Sequence, residues 1–207
     1  MPAKPITPRI LSAAAPAAAC LLLASCGSQQ RSTPAATTSS TTAAASTAPA
    51  EAQSAATGDI PDNQTFLSFA DRSGGYTIRY PEGWARQGSG ADVTFHNRAN
   101  VIRVVIAPGP PPTPAGAAAA VLALKRSDPT INVQAPRRQT LGSTPVVKVS
   151  YTRLSAPDPV TGKRLPITVD RYEYARAGKV ATLDLTTPKG VDNVDAYRMI
   201  SKSFRWR

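Results

Sequence analysis

The chain has 207 residues, a formal net charge of +11, 20 prolines, a single histidine and two cysteines. That length fits one domain with appendages rather than several domains. His96 is the sole imidazole, so any histidine-based nucleophilic catalysis must use it. Beyond the N-terminus no stretch reaches the roughly 18 consecutive apolar residues of a membrane-spanning helix.

Residues 1–25 read as a secretory signal. Lys4 and Arg9, with no acid among them, precede an apolar run from Ile10 to Ala24 that Pro16 interrupts and that is too short to span a bilayer. The run closes on Leu23-Ala24-Ser25-Cys26-Gly27. Leucine, two small residues and a cysteine resemble the lipobox of bacterial lipoproteins, in which the thiol receives a diacylglyceryl group and the chain is cut just before it. Cys20 is the rival, since it follows Ala17-Ala18-Ala19, but it lacks the leucine three positions ahead and leaves an apolar run of only about ten residues. With Cys26 acylated, the mature chain has no free thiol, which excludes a structural disulfide and a cysteine metal site. Each buried methylene of an acyl chain such as palmitate contributes about 0.8 kcal/mol, so two or three chains hold a protein stably on a membrane. The expected place is the extracytoplasmic face of the cell membrane, lipid-anchored.

Residues 26–63 are nearly all Ala, Ser, Thr, Pro, Gly and Gln, and Ile60 is the first bulky residue among them. Such a segment buries too little apolar surface to offset the entropy of ordering, and it reads as a disordered tether spanning roughly 30–40 Å. Its Ser/Thr and Pro content offers O-glycosylation acceptors and equally suits a plain spacer.

From residue 64 to 207 the texture changes to aromatics, β-branched residues and punctuating glycines. "YTIRY" places Tyr76, Ile78 and Tyr80 on one strand face, and Pro81-Glu82-Gly83-Trp84 turns the chain. "DVTFH" points Val93 and Phe95 inward and Asp92, Thr94 and His96 outward. Asn97-Arg98-Ala99-Asn100 then connects it to "VIRVVIA", which is apolar on both faces and so expects cover on both. Thr113-Pro114 opens an alanine-rich helix that ends near Lys125-Arg126, at the negative end of its dipole. "VVKVSYTR" aligns Val147, Val149 and Tyr151. "RYEYARAGKVATLDL" turns most simply at Ala177-Gly178, which pairs Tyr174 with Ala181, Tyr172 with Leu183 and Arg171 with Asp184, at the cost of placing Arg176 opposite Lys179. Asp192 is placed to cap a last helix with Val194, Tyr197, Ile200 and Phe204 on one stripe. Strands, helix, strands, helix make an α+β domain, an antiparallel sheet with helices packed on it.

"GYTIRYPEGW", the alanine-rich helix, the long hairpin and the ending "GKVATLDLTTPKGVDNVDAYRMISKSFRW" resemble the PsbP-like lipoproteins of actinobacteria and, more distantly, the LpqN/LpqT lipoproteins of mycobacteria. The resemblance covers about residues 66–207. It implies an α/β/α sandwich on a central antiparallel sheet, no enzyme activity, and a role as an extrinsic or tethered binding or assembly protein. The metal-binding residues of the photosynthetic members have no counterpart in this sequence, so no metal or other cofactor is expected.

The search for chemistry returns little. His96 reads as a surface histidine beside a turn, and Asp170 and Glu173 are three apart on a strand, so they face opposite sides. "PDPVTGK" carries one carboxylate, Asp158, and reads as a hairpin turn rather than a calcium loop. Trp84 reads as closing the end of the core, and Trp206 as packing the last turn or an exposed edge.

Charge is the remaining signal. Of 24 basic and 13 acidic residues, only Lys4, Arg9, Arg31, Glu51 and Asp59 precede residue 60, leaving 21 against 11 in the rest. This balance suits either a solvated surface or attraction to anionic phosphate on the cell surface. The densest basic pairs, Arg137-Arg138 and Lys163-Arg164, sit where they could cluster, without the interleaved aromatics of a single-strand binder. The expectation is a monomeric, non-catalytic lipoprotein that binds a lipid, a cell-wall precursor or another anionic envelope ligand, and no nucleic acid. The alternative is an interaction module that assists a membrane complex or transporter.

Overall fold

A computed structural model describes residues 58–207. Cys20, Cys26, the signal segment and the tether up to residue 57 lie outside the described residues.

Thirteen elements follow in chain order among the described residues. They are β1 (Phe66–Asp71), β2 (Tyr76–Pro81), β3 (Ala85–Ser89), β4 (Asp92–Asn97), β5 (Asn100–Pro108), α1 (Pro114–Leu124), β6 (Asn132–Val133), β7 (Arg137–Leu141), β8 (Thr144–Leu154), β9 (Pro166–Arg176), β10 (Lys179–Pro188), α2 (Val194–Ser203) and β11 (Arg205–Trp206). Eight strands form one sheet in the order β3-β4-β5-β10-β9-β8-β6, with β7 beside β6 on the same edge of β8. All its pairings are antiparallel. A small sheet, β1-β2-β11, and α2 lie over its inner face, while α1 lies over part of its outer face. This is the α+β architecture that the element order predicts.

Alternation decides the core. Val93 and Phe95, Ile102 and Val104, Tyr172 and Tyr174, and Ala181, Leu183 and Leu185 share the inner face and are buried. Against them pack Tyr76 and Ile78 of the small sheet and Tyr197, Ile200 and Phe204 from α2 and its end. Aromatic pairs join the layers, with Tyr80 stacked on Phe95 at 4.2 Å and Tyr174 against Phe204 at 4.5 Å. On the outer face a smaller core forms where Ala117 and Val121 of α1 meet Val147, Val149, Tyr151, Ile167 and Val169. Trp84 is buried in the main core, and Trp206 meets Phe204 edge-on at 5.4 Å.

The long hairpin has the predicted register in every pair, Tyr174 with Ala181, Tyr172 with Leu183 and Arg171 with Asp184, and Arg176 does stand opposite Lys179. Ala177 and Gly178 both take positive φ, 48° and 73°, so the turn is of the type that matches strand twist. Thr113 caps α1, its hydroxyl accepting from Gly116 N–H at 3.1 Å. Lys125 and Arg126 fall just past the last turn rather than in it.

Three expectations are corrected. The outer face of β5 is not covered: α1 packs on β8, leaving Val101 and Val105 half-buried and Ala107 exposed. A second correction concerns the start of α2, where Asn193 rather than Asp192 is the first capping residue. Its side chain makes no cap, because it is turned into the protein. Asn193 is buried, accepts from Ile60 N–H at 2.7 Å and donates to Asn100 at 3.1 Å and to Thr187 at 2.7 Å. Asp192 accepts from Val194 N–H at 3.2 Å, and Val194 itself is exposed, off the apolar stripe.

The third correction follows from the second: residues 58–60, which composition assigns to the tether, pack against the folded strands and α2. Ile60 is part of the main core, Gly58 C=O accepts from the Asn100 amide, and Asp59 accepts from Asp192 N–H at 3.1 Å. Composition alone assigns 58–63 to the tether because a lone isoleucine carries no periodicity. Its burial depends on partners about 130 residues away.

Candidate functional site

Because α1 covers only the β8–β9 end of the outer face, a groove of about 740 Å³ is left open beside it. Its floor is made by Val101, Tyr151, Ile167 and Val169, with Thr186 between Val101 and Val169 and Asp184 at one side. One wall is the β8–β9 loop, residues 155–165, whose Leu165 faces the groove. The other is the β4–β5 turn at Arg98–Asn100, next to Gly58. The basic side chains Arg103, Arg153 and Lys163 stand around it.

The loop wall is held in shape by its own polar contacts. Asp158 accepts from the N–H groups of Val160 and Thr161, at 3.1 and 2.7 Å, and from the Thr161 hydroxyl at 2.9 Å, and these bonds lower its pKa. That is the hairpin turn the sequence suggests. Arg164 is folded back, donating to Ser155 C=O at 2.7 Å.

A ribbon of alternating charge runs across the strands beside the groove. Asp184 lies directly opposite Arg103 on β5 and Arg171 on β9. Arg171 grips it with two bonds of 2.7 Å, and Arg103 grips Asp92 at 3.0 and 2.6 Å. Burial disfavours the Arg171 charge, but the bonds to Asp184 and its field outweigh that, and the guanidinium pKa is raised. The Arg171 guanidinium also lies 5.7 Å from the centre of the Tyr151 ring, whose hydroxyl pKa is raised by burial and then by the Asp184 charge. Each arginine of the ribbon is thus answered by one carboxylate, Arg103 by Asp92 and Arg171 by Asp184.

The two basic pairs found in the sequence do not cluster. Arg137 and Arg138 are neighbours on β7 and therefore face opposite sides of the sheet, Arg137 into a cleft by α2 and Arg138 into a shallow one by Pro111 and Pro112. Lys163 reaches the groove rim, and Arg164 is spent on the loop backbone. Arg103 and Arg153 take the place that adjacency in sequence had suggested for the pairs. The available signal was alternation: in "VIRVVIA" Arg103 falls on the face opposite Ile102, in register with Asp184.

His96 is half-buried on β4, between Ala85 of β3 and Val101 of β5. Asp170 and Glu173 face opposite sides as expected: Asp170 pairs with Lys148 at 2.7 Å, while burial raises the Glu173 pKa. Among the described residues no three His, Cys, Asp or Glu side chains are grouped to hold a metal ion, and no helix is long and apolar enough to cross a membrane.

No family model matches the chain, and no curated protein sequence matches it. Solved structures do. The solution structure of cyanobacterial PsbP (CyanoP) from Synechocystis sp. PCC 6803 is 17% identical and covers 72% of this chain and 98% of its own, with a TM-score of 0.53. The Ran-binding protein Mog1p of Saccharomyces cerevisiae is 7% identical over 70% of this chain and 96% of its own, with a TM-score of 0.48. A Bacteroides thetaiotaomicron VPI-5482 protein is 12% identical over 68% of this chain and 48% of its own, with a TM-score of 0.46. At such identities the likeness concerns fold alone, and the fold of residues 58–207 is PsbP-like.

Proposed function

We propose that this protein is a lipid-anchored, non-catalytic binding lipoprotein of the actinobacterial PsbP-like type, held on the extracytoplasmic face of the cell membrane through Cys26. We further propose that the outer-face groove takes an anionic amphiphile, a lipid or a lipid-linked wall precursor. The apolar body would lie over Tyr151, Ile167, Val169 and Leu165, and the anionic head would meet Arg153 and Lys163. The observation that carries this reading is a groove of about 740 Å³ whose floor includes Tyr151, Ile167 and Val169 and whose rim carries Arg103, Arg153 and Lys163. Ligand sites of this size are mostly apolar with a few convergent polar groups.

Native mass spectrometry of the full-length protein purified from its own envelope in mild detergent tests it. The expected result is an adduct of lipid mass, lost in a Lys163→Glu/Leu165→Asn variant. No adduct, together with no binding of a fluorescent anionic amphiphile, refutes it. The anchor has its own test: Cys26→Ala releases the protein from the membrane fraction, and release by Cys20→Ala instead overturns that assignment. The assembly-module alternative draws on Val160, 90% exposed at the tip of the β8–β9 loop. Crosslinking of that tip to one membrane protein, with the groove empty, favours it.

A further inference from the structure

The inner face of the large sheet is apolar from β4 to the C-terminal half of β9, and then changes character at its β8 edge. There Thr168, Asp170, Lys148 and Ser150 occupy positions equivalent to those of the core side chains. Asp170 accepts from Lys148 at 2.7 Å and from the Ser150 hydroxyl at 2.5 Å, and the Lys148 ammonium sits 5.1 Å from the centre of the Tyr172 ring. The Lys148 side chain is only 13% exposed. Packed apolar residues commonly match or exceed the stability of such a sequestered ion pair, so folding alone does not account for it.

What the pair floors is an open cleft of about 590 Å³ between α2 and the β7–β8 edge. Arg137 of β7, Lys189 after β10 and Lys202 in the last turn of α2 reach it from three separate elements. Among the described residues none of the three side chains has a carboxylate within ion-pair distance; the fourth rim cation, Arg198, is answered by Asp195 at 2.8 Å. Uncompensated like charges gathered around one concave surface raise the local anion concentration. Leu141, Tyr172, Val191 and Val194 line the cleft as well, so its selectivity for a charged group comes from the three rim cations and the Lys148–Asp170 pair.

We infer that this cleft is a second ligand site, distinct from the outer-face groove, for a phosphate-bearing polyanion. Arg137, Lys189 and Lys202 supply charge-assisted hydrogen bonds to its oxygens, and the Lys148–Asp170 pair forms the base on which it rests. Of Arg137, Arg138, Lys163 and Arg164, only Arg137 reaches this cleft.

The test uses tripolyphosphate as the probe and calorimetry on the full-length protein in detergent at low salt. Arg137→Gln/Lys202→Gln is expected to weaken binding at least tenfold. Lys125→Gln/Arg126→Gln removes the same charge at the end of α1, away from the cleft, and is expected to leave affinity within twofold. Equal losses in both variants would reduce the effect to net charge and overturn the site, as would no loss in the first. Vesicles of phosphatidylglycerol then separate two sources of the same chemistry: displacement of the probe by vesicles assigns the site to lipid headgroups, and no displacement assigns it to soluble or polymeric phosphate. Both outcomes stand apart from the adduct test of the outer groove, since neither variant touches it.

Discussion

The Arg171–Asp184 pair offers the sharpest test of the physics behind the outer face. The two side chains are 14% and 16% exposed and share two bonds of 2.7 Å. At that separation and an effective dielectric near 20, the gross attraction is about 6 kcal/mol, much of it offset by desolvation of both ions. Asp184→Ala removes the attraction and leaves the Arg171 charge sequestered, a loss of about 3–5 kcal/mol. Asp184 also stands opposite Arg103 on the neighbouring β5, so that arginine keeps only Asp92. Urea denaturation of the full-length protein should show the midpoint falling, and the melting temperature should drop by roughly 10 °C or more. The double variant Arg171→Met/Asp184→Val, which restores an uncharged face of similar bulk, should recover most of the loss. A single-variant cost under about 1 kcal/mol, or a double variant as unstable as the single, would refute the view that these charges are held out of water and depend on each other.

Asn193→Ala should cost about 2–4 kcal/mol, because it deletes three hydrogen bonds and strands the Ile60 N–H. Hydrogen exchange should then show residues 58–60 deprotected before the sheet. Asp71 accepts from Gly74 N–H at 2.6 Å, the Ser73 hydroxyl at 2.7 Å and Gly90 N–H at 2.8 Å, which together lower its pKa from 3.8 to about 2. A depressed carboxylate stabilises the fold above pH 3.8 and loses that contribution as pH falls toward 2, so Asp71→Asn should be less stable at neutral pH and converge on the parent protein in acid titrations. Glu173 has the opposite sign: burial raises its pKa above 4.5, so its charge weakens the fold at neutral pH. Glu173→Gln should raise the melting temperature at pH 7, with the gain shrinking as pH falls through the raised pKa toward 4.5.

The sequence by itself determined the strands whose one face is buried. Val93 and Phe95, Ile102 and Val104, and the Tyr172–Leu183 register were legible because alternation and turn chemistry are local, and a slip of one residue would expose every apolar side chain. It also marked Cys26 and the basic excess, which are matters of composition and short motif. Only the tertiary structure decided which elements share a face. The inward turn of Asn193, the burial of Ile60 and the bare outer face of β5 all depend on partners distant along the chain. The same holds for the candidate sites. Arg137 and Arg138 are adjacent in sequence yet separated by the sheet, whereas Arg137, Lys189 and Lys202 are remote in sequence yet meet at one cleft. Adjacency on a strand puts charges on opposite faces, so the convergence of charge that a ligand would meet is a property of strand order and helix placement.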